Sequence, residues 1–142
     1  MSFEPLRDKI KTILEGIDSI QYVYSYPTED YDGYPCAIIR SMRNESDYET
    51  TNDNIRTYIF AIYLIQESES TAKGRRQARR ILEGLSDEIV DTFDKDELLS
   101  GISLSDKYTI VGIRPAVSEI VDEDGFVSVE IGLAIRMSFD KT

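Results

Sequence analysis

The stretch FVSVEIGLAIRMSF, Phe126 to Phe139, decides the fold class. Val127, Val129, Ile131, Leu133, Ile135, Met137 and Phe139 share one parity, and Ser128, Glu130, Gly132, Ala134, Arg136 and Ser138 share the other. A period of two predicts a strand with one dry and one wet face. At about 3.3 Å per residue such a strand spans roughly 46 Å, whereas a compact domain of this length is only about 37 Å across. The strand is therefore expected to bend at Gly132, or to protrude and offer unpaired backbone groups to another chain.

Working outward, Asp122-Glu123-Asp124-Gly125 precedes that strand, and Asp-Gly between two β-prone runs is a hairpin signal. The earlier run holds Tyr108, Ile110, Val111 and Ile113, then Val117, Ile120 and Val121, interrupted by Pro115. Further upstream, Ala72, Ala78, Ile81, Leu82, Leu85, Ile89, Val90 and Phe93 trace one side of a helix over Thr71–Phe93, with Ser70 as the expected N-cap. Ile59 to Ile65 is continuously apolar, which predicts a central strand covered on both faces. Arg43 to Asn54 is polar enough to predict an exposed connection, mobile until assembly orders it. A strand begins near Pro35 and carries Ala37, Ile38 and Ile39, and another covers Tyr22 to Tyr26. Leu6, Ile10, Ile13, Leu14 and Ile17 recur at helical spacing from Pro5, so a helix runs to Gly16 or Ile17. The order α-β-β-β-α-β-β, with short links between strands, predicts one α+β domain over residues 1–142: a mainly antiparallel sheet with two helices packed on one face.

A chain of 142 residues with 41% hydrophobic residues is long enough to bury its own core. Its apolar runs stop well short of the ~20 residues that cross a bilayer, and Met1 to Pro5 contains no basic or apolar segment of a secretory signal. A soluble chain without a membrane partner is expected. Against 27 acidic residues stand 16 basic ones, a net charge of -11, so the field of the whole molecule repels nucleic acid and specific nucleic-acid binding is not expected. The lone Cys36 rules out an internal disulfide and fits a reducing compartment.

Histidine is absent, which removes Ser-His and Cys-His nucleophiles, imidazole bases and His-based zinc sites together. No two of the eight glycines have the spacing of a phosphate-cradling loop. Asp30-Tyr31-Asp32-Gly33 and Asp122-Glu123-Asp124-Gly125 imitate calcium loops, but their first and twelfth ligand positions would fall on Thr28 and Ile39, or Ile120 and Ile131. Turn chemistry accounts for both. Cys36, beside apolar residues and without a basic neighbour in sequence, reads as a buried small hydrophobe. No catalytic residue, cofactor or metal is expected, and the chain does not read as an enzyme.

The second helix carries the informative charges. Lys73, Arg75, Arg76, Arg79 and Arg80 fill its first half, while Asp87, Glu88 and Asp91 fill its second half, followed by Asp94, Asp96 and Glu97. The macrodipole favours the reverse order, and a broken stability rule tends to mark function. Two readings stand: an interaction surface in which Arg75, Arg76, Arg79 and Arg80 of one subunit face Asp87, Glu88 and Asp91 of the next, or a solvated face paired within the fold.

Several segments together carry a family resemblance: the amino-terminal helix, Tyr26-Pro27, Tyr34-Pro35-Cys36-Ala37-Ile38-Ile39, the polar connection into Ile55–Leu64, the long helix, Pro115 and the closing strand. In this order the chain resembles the tail terminator, or tail completion, proteins of long-tailed bacteriophages. The resemblance implies a virion protein of the tail, assembled in the host cytoplasm. It further implies a homo-oligomeric ring, typically of six subunits, that caps the tail tube protein and meets the head connector protein. It supplies no catalytic residues. Other phage neck and connector components share similar sheets. Two further classes are a small-ligand or peptide-binding α+β module, expected to be a monomer with a closed apolar cavity, and a carboxylate-dependent hydrolase with paired acids in a cleft.

Overall fold

The computed structural model describes residues 3–28, 30–48, 53–96, 99, 108–123 and 125–140. Along the chain run α1 (Glu4–Glu15), β1 (Tyr22–Tyr24), β2 (Cys36–Tyr48), β3 (Asp53–Glu67), α2 (Ala72–Lys95), β4 (Tyr108–Val117), β5 (Val121–Glu123) and β6 (Phe126–Asp140). The strands form a single sheet in the order β1-β2-β3-β6-β4, with β5 also paired to β6. Only the β1–β2 pair is parallel; the other described pairs are antiparallel. The expected α+β architecture is therefore present, with one addition, the three-residue strand β5 that precedes the final hairpin turn.

Register explains where the core sits. Phe60 lies opposite Leu133, Ile62 opposite Ile131 and Leu64 opposite Val129, so even positions of β3 and odd positions of β6 share one face. Onto it α1 packs Leu6, Ile10 and Leu14, and α2 packs Ala78, Leu82, Leu85, Ile89 and Phe93, all in one buried cluster with those strand residues. Spacings of three and four set these side chains on one side of each helix. Phe3 closes the amino-terminal end with edge-to-face contacts to Tyr58 and Phe60, at ring centroid distances of 5.0 and 5.4 Å.

Four expectations change. The closing strand is not left with unpaired backbone for another chain: β3 is equally long and pairs with it residue for residue from Glu67–Phe126 to Asp53–Asp140, in unbroken register through Gly132. Arg43–Tyr48, expected as a loose connection, extends β2 and pairs with Asn54–Ile59, leaving residues 49–52 of that segment outside the described residues. β3 is central, but the helices cover only one of its faces, and Ile59, Tyr63 and Ile65 on the other are half-buried. The cap of α2 is Thr71 and not Ser70: its extended backbone (φ -80, ψ 156) lets the hydroxyl accept from the Gly74 N–H at 3.0 Å. Pro115 lies within β4, which has β6 on one side only in the sheet order, and such a strand tolerates a residue with no N–H to donate.

Candidate functional site

Two surfaces concentrate charge, one on each side of the sheet. On the helix side, 3.6-residue periodicity puts Lys73, Arg76, Arg80, Gly84, Asp87 and Asp91 along the solvent stripe of α2, opposite its buried positions. The first half of this stripe is basic and the second acidic. Arg80 and Asp87 are separated by about 10 Å of helix rise, so the halves lie too far apart for i,i+4 pairing across their junction. Gly84 sits at that junction, and a methyl group built on it would meet nothing within 4 Å.

The structure divides the four expected arginines into two pairs. Arg79 donates to the Asp122 carboxylate at 3.2 Å, linking α2 to β5, and Arg75 donates to the Ser70 carbonyl at 3.1 Å. Those two are engaged within the fold. Arg76 and Arg80 are exposed and, with Lys73, Gln77 and Ile81, line an open surface depression. Asp87, Glu88 and Asp91 are exposed on the second half. Sequence spacing had grouped all four arginines, because a contact such as Arg79–Asp122, 43 positions apart, leaves no local signal.

On the helix-free face, register aligns residues in rows across the strands. One row runs Arg43, Ile59, Ala134, Arg114, and the next runs Arg40, Ala61, Gly132, Ala116. The floor is small and apolar, and the arginines stand at its sides, all of them exposed. Arg136 joins them one row further on, opposite Thr57. In the row beyond the floor at the other end, Glu130 lies opposite Tyr63. No sequence motif announced this arrangement, since the arginines come from three strands.

Tyrosines cover the other end of the same face. The ring of Tyr24 meets Tyr31, Tyr31 meets Tyr34 and Tyr34 meets Phe126, at centroid distances of 6.0, 6.1 and 5.7 Å. Gly33 lies so close to the Tyr22 ring that an added methyl group would stand 2.7 Å from it. Cys36 is buried here, and burial pushes its thiol up to about 11. It is the inert, packed cysteine the sequence suggests. Of the Asp122–Gly125 sequence, Asp122 and Glu123 end β5 and Gly125, at φ +81, is the turn residue that leads into β6. Among the described residues, no group of three acids or cysteines could hold a metal ion, and no helix is long and apolar enough to cross a membrane.

No protein-family model matches the chain, and no curated protein matches it. Among solved structures, a chain of "Virion of native gene transfer agent (GTA) particle" is similar to it at 12% identity and a TM-score of 0.49, over 94% of each chain.

Proposed function

We propose that this chain is a structural virion protein of the tail terminator kind, which joins copies of itself head to tail into a ring that caps the tail tube and meets the head connector. The observation that carries the self-assembly is the divided stripe of α2. Arg76 and Arg80 have no ion-pair partner within the chain among the described residues, Asp87 and Asp91 stand on the same line beyond Gly84, and the two halves suit neighbouring copies better than one another. A contact between different patches of identical subunits is heterologous, and it generates a ring when the rotation closes. Arg75 and Arg79 support this surface from within the fold and do not face the neighbour. The tail terminator assignment rests on the sequence resemblance, and with it the tube and connector as partners, the virion tail as location and host cytoplasm as the place of assembly.

Light scattering on size-exclusion fractions tests self-assembly, and mass spectrometry of purified particles tests the virion role. A particle component that associates at high concentration, and less so in high salt, is expected. Absence from purified particles overturns the virion reading, and assembly indifferent to reversal of Arg76 and Arg80 overturns the interface.

A further inference from the structure

β3 is apolar on both parities, yet helices lie over one of its faces only. On the other face stand the half-buried Ile59, Tyr63 and Ile65 with the small Ala61 between them, a pattern proper to a strand covered on both sides. Charge on this face is divided along the strands. Arg114 lies in the row of Ile59 and Arg40 in the row of Ala61, whereas Glu67 and Glu123 flank Phe126 at the opposite end. Glu130, opposite Tyr63, lies in the row between them. Register also sets Glu45 opposite Thr57, in the row of Arg136, and Arg43 and Arg136 already have interaction partners within the chain, so neither is counted here as a free charge. We propose that this face packs on the same face of a second copy in a two-fold contact, which supplies the missing cover of β3.

Self-complementarity favours this occupant. Arg40 and Arg114 stand roughly 20 to 26 Å along the strands from the row of Glu67 and Glu123, well past the screening length of about 10 Å at 0.1 M salt. None of these side chains has an ion-pair partner within the chain among the described residues. A two-fold axis lying across the strands reverses the strand direction while keeping each strand over its own copy, so the arginine end of one face meets the acidic end of the other. Arg114 and Glu123 suit this geometry best, because β4 and β5 pair along the same side of β6. The aromatic rings of Tyr34 and Phe126 at the acidic end add surfaces on which a guanidinium can rest. From Ile59 to Glu67 and across four strands the face measures roughly 26 by 19 Å, about 500 Å² in projection, against about 800 Å² per partner in a standard interface. A reversible dimer is therefore expected. This contact is isologous, and it coexists with a head-to-tail contact through α2 in assemblies of dihedral symmetry.

Sedimentation velocity across a concentration series, on the full chain carrying Arg76→Glu and Arg80→Glu to remove the α2 contact, tests the sheet face by itself. A monomer–dimer equilibrium that stops at two copies is expected. In that background, Arg40→Glu with Arg114→Glu, and separately Glu67→Arg with Glu123→Arg, should each weaken the dimer at least tenfold. These positions are exposed, so unchanged melting curves are expected. An equimolar mixture of the two reversed chains should recover association as a one-to-one heterodimer, because each then presents the complement of the other. Glu130→Gln should tighten the dimer, since a residue in the row on the two-fold axis meets its own copy and two carboxylates repel there. If a reversed chain fails to fold, Arg40→Gln with Arg114→Gln replaces it, with a smaller loss expected and indifference counting against the contact. A monomer at every concentration overturns the proposal and leaves the face to a partner other than this chain. Dimers indifferent to both reversals, or a mixture without recovery, overturn it as well. Failure of the α2 contact shows separately, as an unaltered chain that associates no further than the Arg76→Glu, Arg80→Glu background.

Discussion

Cys36 and Gly84 show how far a single residue reports its surroundings. The thiol is fully buried on the tyrosine-covered end of the sheet, and its folded pKa of about 11 lies above the ordinary 9.0. The neutral form is therefore favoured by folding. The corresponding stability is complete below pH 9 and is lost as pH rises through about 11, so a Cys36→Ala variant should show a shallower alkaline decline in melting temperature between those limits. A thiol reagent should label native Cys36 only slowly and react at once in denaturant. Gly84 is the opposite case, a helix-interior glycine with open space around it. Gly84→Ala should stabilise the subunit by about 1 kcal/mol, read as a rise in denaturant midpoint with unchanged slope. A destabilised variant would mean that the glycine serves the subunit's own packing and not a neighbour.

At the scale of elements, legibility followed burial. Leu82, Leu85 and Ile89 on α2, and Val127 to Met137 on β6, could be read in the sequence because each has one side against the core, and burial selects apolar residues at the period of the element. β2 splits in two on the same principle. Its Cys36–Ile39 half is buried and was legible, whereas Arg43–Tyr48 takes its pairing from β3 without an apolar pattern and so resembles a loop. The sequence misleads about helix cover for a related reason. Ile59 to Ile65 is apolar on both parities, as in a doubly covered strand, but the outward residues meet other strands and half-exposure instead of helices. The paired register yields a direct expectation for amide exchange: Arg43–Tyr48 should include amides protected well beyond the rates of an unstructured loop in the subunit itself, before any assembly. Loop-like exchange across the whole segment would contradict the long hairpin.

For the whole molecule, the arrangement is two-sided, with a charge-divided helix on one side of the sheet and a charge-divided face on the other. The sequence made the helix visible because its charges are contiguous. It hid the sheet face, whose arginines are separated by up to 96 positions (Arg40 to Arg136) and converge only through register. Heterologous assembly through α2 makes a quantitative demand: several exposed charge pairs must act together, since one such pair contributes only about 0.2–1 kcal/mol. Association should therefore weaken steadily as salt shortens the screening length from about 10 Å at 0.1 M to about 3 Å at 1 M. Arg76→Glu with Arg80→Glu should abolish head-to-tail assembly while leaving the melting curve of the subunit unchanged, because neither side chain has an ion-pair partner within the chain among the described residues. Adding Asp87→Arg and Asp91→Arg to the same chain exchanges the halves and should restore assembly, since each copy again presents complementary ends. Gly84→Trp, tested alone, should fold, because the space around Gly84 is open, and yet block head-to-tail association by standing between the halves. Light scattering of these variants at matched concentration separates the explanations: rescue by the exchanged chain supports charge-paired contact between copies, while loss without rescue confines the arginines to some other role.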